Sequence, residues 1–267
     1  MNVLITGAAS GLGKACALRF SEEGIKVYAC DIKEFEPHLN IIPVKLDITD
    51  AKAVRDLALS FREKNIKFKA VINFAGIFFM DNFLEAEDAK LKKIFNINFF
   101  GAVNINREFF TLLEKDAKII ITTSEVAPLD PMPFNGIYNV TKTALDCYAQ
   151  ALRQEAGLLG TKVVTVRPGA FSTPLADGSI NSMREMAERS SYFGGQAEKF
   201  AKIMAVFTGK AGDPSMLAKK IYRIFLKKHP KCVYTVHSNI LLKIMSFLPK
   251  GLQVKIIKAL VGTKQKQ

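Results

Sequence analysis

Short apolar runs alternate with segments of helical period along the first two thirds of this chain. Val3 to Thr6 is an apolar, β-branched run, and Leu12, Ala15, Cys16 and Phe20 behind it recur at the spacing of a helix face. Lys26 to Cys30 predicts a second strand ending at Asp31, and Ile41 to Leu46 a third ending at Asp47. A helix capped by Asp50 is expected to run to about Lys64. Lys69 to Phe74 predicts a fourth strand, followed by a long helical region from about Glu85 to Glu114 with an interruption near Asn96 to Gly101. Ala117 to Ser124 predicts a fifth strand, Gly136 to Leu159 a long helix and Lys162 to Val166 a sixth strand. The strands are almost continuously apolar, as parallel strands covered on both faces must be. With right-handed crossovers this predicts an α/β fold: a doubly wound, Rossmann-like, mostly parallel sheet with helices on both faces. Ligands then bind at the carboxyl ends of the strands.

After Gly169 the alternation stops. Residues 170–208 read as a long insertion with Gly178, Gly194 and Gly195 and a polar stretch from Asp177 to Met186, expected to act as a substrate lid. Residues 213–267 predict a basic helix (Pro214 to Lys228), a strand (Cys232 to Val236) and two amphipathic helices split by Pro249. With 267 residues and 49% hydrophobic content the chain can bury a full core, so residues 1–267 are expected to form a single dinucleotide-binding catalytic domain.

The net charge of +13 is uneven: residues 213–267 hold twelve Lys/Arg against one acid, Asp213, which leaves the rest close to neutral. Lys interleaved with Ile, Leu and Phe suits an anionic membrane surface. It equally suits a packing face with a solvated basic side. Nucleic acid is not expected, because no groove-reading motif accompanies the charge. The four cysteines show neither paired nor metal-like spacing, which points to reduced thiols and no metal site. The first strand starts at Val3, leaving no room for a signal peptide, and no apolar run reaches the ~20 residues of a membrane span. A cytoplasmic protein is expected, at most peripheral at a membrane.

Between the first strand and helix lies Thr6-Gly7-Ala8-Ala9-Ser10-Gly11-Leu12-Gly13. Gly7 permits a turn, Gly11 lets the backbone approach a phosphate, and Gly13 allows helix and strand to pack closely; the helix N-terminus then favours an anion. Alone, such a stretch is also a flexible loop. Its place between strand and helix argues otherwise, as does Asp31, about 20 residues on, where a carboxylate can accept from ribose hydroxyls.

Tyr138 and Lys142 stand four apart at the start of a helix, on one face. A phenol of ordinary pKa about 10 is a poor base, and a neighbouring ammonium is expected to lower it. Ser124 can hydrogen-bond a substrate oxygen, and Asn98 can kink the long helix and anchor a water to Lys142. Tyr and Lys at this spacing are common, and only the ordered context gives the pair meaning.

From Met1 to about Thr173 the chain resembles the short-chain dehydrogenase/reductase family, in its single-domain subgroup. The resemblance rests on the glycine turn, Asp47, Asn73-x-Ala75-Gly76, Asn98, Ser124, the Tyr138/Lys142 pair, Pro168-Gly169 and Thr173. It implies Tyr138 as acid/base, Lys142 and Asn98 as proton relay and Ser124 as substrate orienter. It implies a dinucleotide site made of Gly7, Ser10, Gly11, Leu12, Gly13, Asp31, Asp47, Ile48, Asn73, Ala75, Gly76, Pro168, Gly169, Phe171 and Thr173, with Tyr138 and Lys142. Asp47 would face the adenine, Asn73 support the central strand and Thr173 hold the nicotinamide carboxamide. The chain departs from the family pattern at Phe74, where a second Asn is usual. It also departs in Glu125, which occupies the position usual for the serine. Thr123 is the rival for the serine role, and Glu125 is expected to be a solvated loop carboxylate.

Asp31 would repel a 2′-phosphate and Ser10 is not basic, which favours NAD; Lys33 keeps NADP as the alternative. Phe134, Phe171, Leu175, Met183, Met186, Tyr192 and Phe193 are expected to form an apolar pocket for a steroid-, retinol- or lipid-like alcohol or ketone. The rival class is a non-enzymatic dinucleotide sensor, or a membrane-surface protein, on the same fold. Phe95, Phe99, Phe109, Phe110, Cys147, Tyr148 and Leu152 are expected to leave apolar helix faces for a homodimer or homotetramer.

Overall fold

A computed structural model describes residues 1–207 and 211–262. The end of the expected lid at Thr208 and the last five residues of the basic segment lie outside the described residues. In chain order the elements are β1 (Asn2–Thr6), α1 (Gly11–Glu22), β2 (Lys26–Asp31), β3 (Ile41–Lys45), α2 (Ala51–Glu63), β4 (Phe68–Asn73), α3 (Asp88–Phe95), α4 (Gly101–Phe109), β5 (Leu113–Thr122), α5 (Gly136–Leu158) and β6 (Lys162–Pro168). Then follow α6 (Pro174–Arg189), α7 (Gly194–Phe207), α8 (Pro214–Leu226), β7 (Val233–Val236), α9 (Ile240–Phe247) and α10 (Lys250–Val261). The seven strands pair in the order β3-β2-β1-β4-β5-β6-β7, and every pair is parallel. The order reverses between β1 and β4, the crevice where doubly wound sheets bind ligands.

Alternation along the strands divides the core. Val3 and Ile5 of β1, with Ile120 of β5, face Phe20 of α1 and Leu217, Ile221 and Phe225 of α8. Leu4 points the other way, into a layer with Tyr28, Phe61, Phe68 and Phe109, and Ile119 and Ile121 meet Leu145 and Ala149 of α5. Asp50 caps α2 by accepting from the N–H groups of Lys52 and Ala53, as expected. The long helical region does break at Asn96–Phe100, into one π turn between α3 and α4.

Two expectations are corrected. The segment after Gly169 is regular: α6 and α7 fill it, with Pro174 opening α6 after Thr173. The basic segment is not uniform either. α8 buries Leu217, Ala218, Ile221, Ile224 and Phe225 and is ordinary core, whereas α9 buries no residue. Phe109 is fully buried and offers nothing to another subunit, while Phe100 and Cys147 are exposed on α4's approach and α5.

Candidate active site

The β1–α1 turn is compressed. Gly7 and Gly11 have φ of +67° and +52°, the left-handed region that glycine enters at no steric cost. A Cβ on Gly7 would lie 2.6 Å from the Ala75 nitrogen, and one on Gly13 only 2.0 Å from the Gly7 carbonyl oxygen. Ser10 precedes α1 in extended conformation without a side-chain cap, so the first N–H groups of the helix keep no side-chain partner. A turn with no room for side chains, ending in uncapped N–H groups, fits a pyrophosphate. Asp31 braces it: one carboxylate oxygen accepts from Ala9 N–H at 2.9 Å and the other from Lys33 N–H at 3.0 Å. That bracing was not visible in the sequence.

A cleft of about 890 Å³ runs along the carboxyl ends of the strands. At one end it is bordered by Gly7, Ser10, Gly11, Leu12, Gly13, Asp31, Asp47 and Ile48. Ala75, Gly76, Pro168, Gly169, Phe171 and Thr173 line its middle, with Ser124, Tyr138 and Lys142. Asp47 is exposed and accepts from the N–H and hydroxyl of Thr49. Ile48 turns inward against Gly101, where a Cβ would lie 2.4 Å from its Cδ1. Thr173 sits over Gly11 (3.3 Å to the position of a Cβ there), so the N-terminus of α6 closes on the glycine turn. Phe171 borders the cleft, but its ring is buried beside His237, at 5.6 Å.

Ser124, just past β5, stands beside the Tyr138 phenol, near enough to favour its charged form. The Lys142 ammonium lies 5.7 Å from the Tyr138 ring centre and donates to the Thr122 carbonyl at 3.3 Å. The expected lowering of the phenol by the ammonium is not what the structure gives. Burial pushes Tyr138 up to about 12, opposed by the neighbouring Ser124 and reinforced by the charge of Glu125. Burial also pulls Lys142 down to about 8. The same loss of water disfavours both charged forms. At neutral pH the phenol holds its proton.

Two expected residues lie behind the cleft wall. Asn73 is buried and donates to Asn106 Oδ1 at 2.9 Å, tying β4 to α4. Asn98 sits in the π turn, accepts from Ile77 N–H at 2.8 Å and donates to the Ile77 carbonyl and Thr141 Oγ1. Its side chain fixes the loop at Gly76, where a Cβ would meet Asn98 Oδ1 at 3.1 Å and Lys142 Nζ at 3.6 Å.

Thr123 is no rival for the serine: its hydroxyl donates to Asp146, which also pairs with Arg167. Glu125 is corrected more strongly. It is buried, accepts the Asn239 N–H at 2.5 Å, and its carboxyl stands above the ordinary range because it is desolvated. A position beside the serine gave no hint that α9 would return to cover it.

Of the residues expected in an apolar pocket, Phe171 and Leu175 reach the cleft. Met183 and Met186 join Met80, Phe200 and Val261 in a satellite core against which Phe134 packs, and Tyr192 is exposed. The apolar end of the cleft is built instead by Phe78, Leu129, Met132 and Leu242, the last from α9. Arg189 anchors the far end of α6 on buried Asp81 at 2.7 Å. Among the described residues no cluster of metal-ligating side chains is present.

The family model described as short chain dehydrogenase matches residues 1–184. The NADPH-dependent 1-acyldihydroxyacetone phosphate reductase of Schizosaccharomyces pombe is 30% identical over 200 residues, 72% of this chain and 67% of that protein. The 3-ketodihydrosphingosine reductase of Bacteroides thetaiotaomicron is 28% identical over 229 residues, 85% of this chain and 84% of its own length. The structure of Thermoplasma acidophilum aldohexose dehydrogenase superposes with a TM-score of 0.74 at 18% identity, over 93% of this chain and 96% of that one, and speaks for the fold alone. A dinucleotide turn and a buried phenol meeting in one cleft, and a family match across most of the chain, lead to one conclusion: this chain belongs to the short chain dehydrogenase family.

Proposed function

We propose that this protein is an NAD(P)-dependent oxidoreductase for an apolar alcohol/ketone pair, with Ser124, Tyr138 and Lys142 as its catalytic residues. The observation that carries the reading is the convergence of Ser124, the Tyr138 phenol, the Lys142 ammonium and the glycine turn on one cleft. A bound nicotinamide dinucleotide supplies a hydride to a carbonyl carbon, or takes one from a carbinol carbon. In the reductive direction Ser124 holds the carbonyl oxygen and the protonated Tyr138 gives it a proton. Lys142 replaces that proton and would meet the ribose hydroxyls of a bound dinucleotide, while Asn98 holds the loop at its side. The 1-acyldihydroxyacetone phosphate and 3-ketodihydrosphingosine reductases carry lipid ketones in their names. The apolar end formed by Leu129, Met132 and Leu242 suits a substrate of that class. Ketones and alcohols of increasing chain length, with both nucleotides, test this: kcat/KM should climb with apolar length, and a best substrate among sugars would contradict it.

Cofactor choice rests on Asp31. Asp31→Ala is expected to raise the NADP:NAD affinity ratio by removing a like charge from the 2′-phosphate. It should also weaken both nucleotides, because the Ala9 N–H loses its acceptor. Titration with both nucleotides decides it; an unchanged ratio would shift the choice to Lys33.

The buried amine predicts a pH profile. Lys142, lowered to about 8, is charged below that pH and neutral above it. Since kcat/KM reports groups of the free enzyme, ketone reduction should be level at neutral pH and fall as Lys142 loses its proton. A profile level through that range would contradict the role of Lys142.

A dinucleotide sensor has no use for the phenol–ammonium pair, and no observation favours it. The exposed Phe100 and Cys147 side of α4 and α5 is the surface we assign to a second subunit.

A further inference from the structure

We propose that the face formed by α9 and α10, rather than the basic segment as a whole, docks on an anionic phospholipid bilayer and opens the apolar end of the cleft toward it. The second half of the statement rests on the apolar-substrate reading; the docking does not. Ile240, Ile244 and Phe247 recur at helical spacing on α9, all exposed, with Phe247 at 87% of its full exposure. Leu252, Val254 and Leu260 on α10 are exposed as well. An exposed apolar face such as that of α9 marks a contact site.

Its charge selects the occupant. No Asp or Glu occurs in residues 214–267. Lys255 and Lys258 on α10 are exposed and form no ion pair among the described residues. Lys250 is already paired with Asp130, and Lys243 donates to Ser238. Apolar residues beside unpaired cations, without a carboxylate on either helix, complement lipid acyl chains under anionic headgroups.

The two helices are also fastened to the active-site loop. The Asn239 N–H at the start of α9 is held by Glu125, next to Ser124. Asp130 holds the other end: its N–H donates to Ser246 of α9, and its carboxylate accepts from Gln253 of α10 at 2.7 Å. Between these ties Leu242 turns from α9 into the cleft. A bilayer touching the outer face of α9 is therefore one helix away from the reacting groups, which suits a substrate drawn from lipid.

The test is sedimentation of the full chain with vesicles of phosphatidylcholine alone and of phosphatidylcholine with phosphatidylglycerol. Alongside it, turnover of a short, water-soluble ketone is measured. The triple variant Phe247→Ser, Lys255→Glu, Lys258→Glu alters exposed side chains only. Wild type should sediment with the anionic vesicles and be released by high salt. The variant should lose about tenfold or more of that binding, with soluble-ketone turnover unchanged. Recovery of wild type in the supernatant with both vesicle types overturns the proposal, as does binding that the variant leaves intact. So does a variant that merely turns a dimer into monomers, which would make the face a subunit contact. Vesicle binding without turnover of any ketone would instead retire the oxidoreductase reading and leave the docking surface standing.

Discussion

Tyr138→Phe is expected to lower turnover by about 10²–10⁴-fold, the range for losing a positioned general acid or base. Nucleotide affinity should stay within about twofold, because the groups that would hold pyrophosphate and adenine stand at the other end of the cleft. The phenol is partly walled by Phe78, whose ring centre lies 4.5 Å away, and loss of one oxygen leaves that packing in place. The variant should therefore fold normally, so that lost activity reports lost proton transfer. Lys142→Met makes a useful contrast. It removes a cation proposed to serve both relay and ribose, so rate and nucleotide affinity should fall together. Retention by Tyr138→Phe of more than half the wild-type rate would remove the phenol from the mechanism.

Gly13→Ala is expected to damage stability and nucleotide binding at once. The added methyl would lie 2.0 Å from the Gly7 carbonyl oxygen, a backbone atom that cannot rotate away. Overpacking ordinarily costs about 1–3 kcal/mol, and a backbone clash belongs at the upper end. At roughly 2–4 °C per kcal/mol for a domain approaching this size, Tm should drop by several degrees. Relief requires α1 to move away from the turn, carrying its N–H groups out of reach of a phosphate. Gly157→Ala is the control: it lies in α5 with nothing within 4 Å of a Cβ, so it should stabilise by up to about 1 kcal/mol through helix propensity. Thermal melts and nucleotide titrations on the pair separate the clash from a general intolerance of glycine replacement.

Most strands were readable because they are short, apolar and bounded by a turn residue or a carboxylate, as at Asp31, Asp47 and Asn73; β5 was read only from Ala117 because its first four residues, Leu113 to Asp116, are largely charged. The break at Asn96–Phe100 and the cap at Asp50 were likewise local features. What escaped were relations between distant segments. Glu125 was read as solvated because nothing near it says that Asn239, far along the chain, returns to bury it. The lid was read as irregular because its glycines and polar stretch outweighed a helical period that only packing against Met80 and Phe200 reveals. Met183 and Met186 look like pocket residues until that satellite core is seen. The phenol's acidity failed for a different reason: sequence supplies the neighbouring ammonium but not the degree of burial, and burial decides the sign.

The measurement that bears most directly on the account is label transfer. Reduced nicotinamide dinucleotide deuterated at its transferable ring position is incubated with the protein and a series of apolar ketones, and the alcohol products are analysed by mass spectrometry. The account predicts deuterium on the carbinol carbon of a long-chain or ring ketone with wild type, and transfer at least about a hundredfold slower with Tyr138→Phe. Label that stays on the nucleotide across the whole series, or transfer equally fast without the phenol, would contradict it.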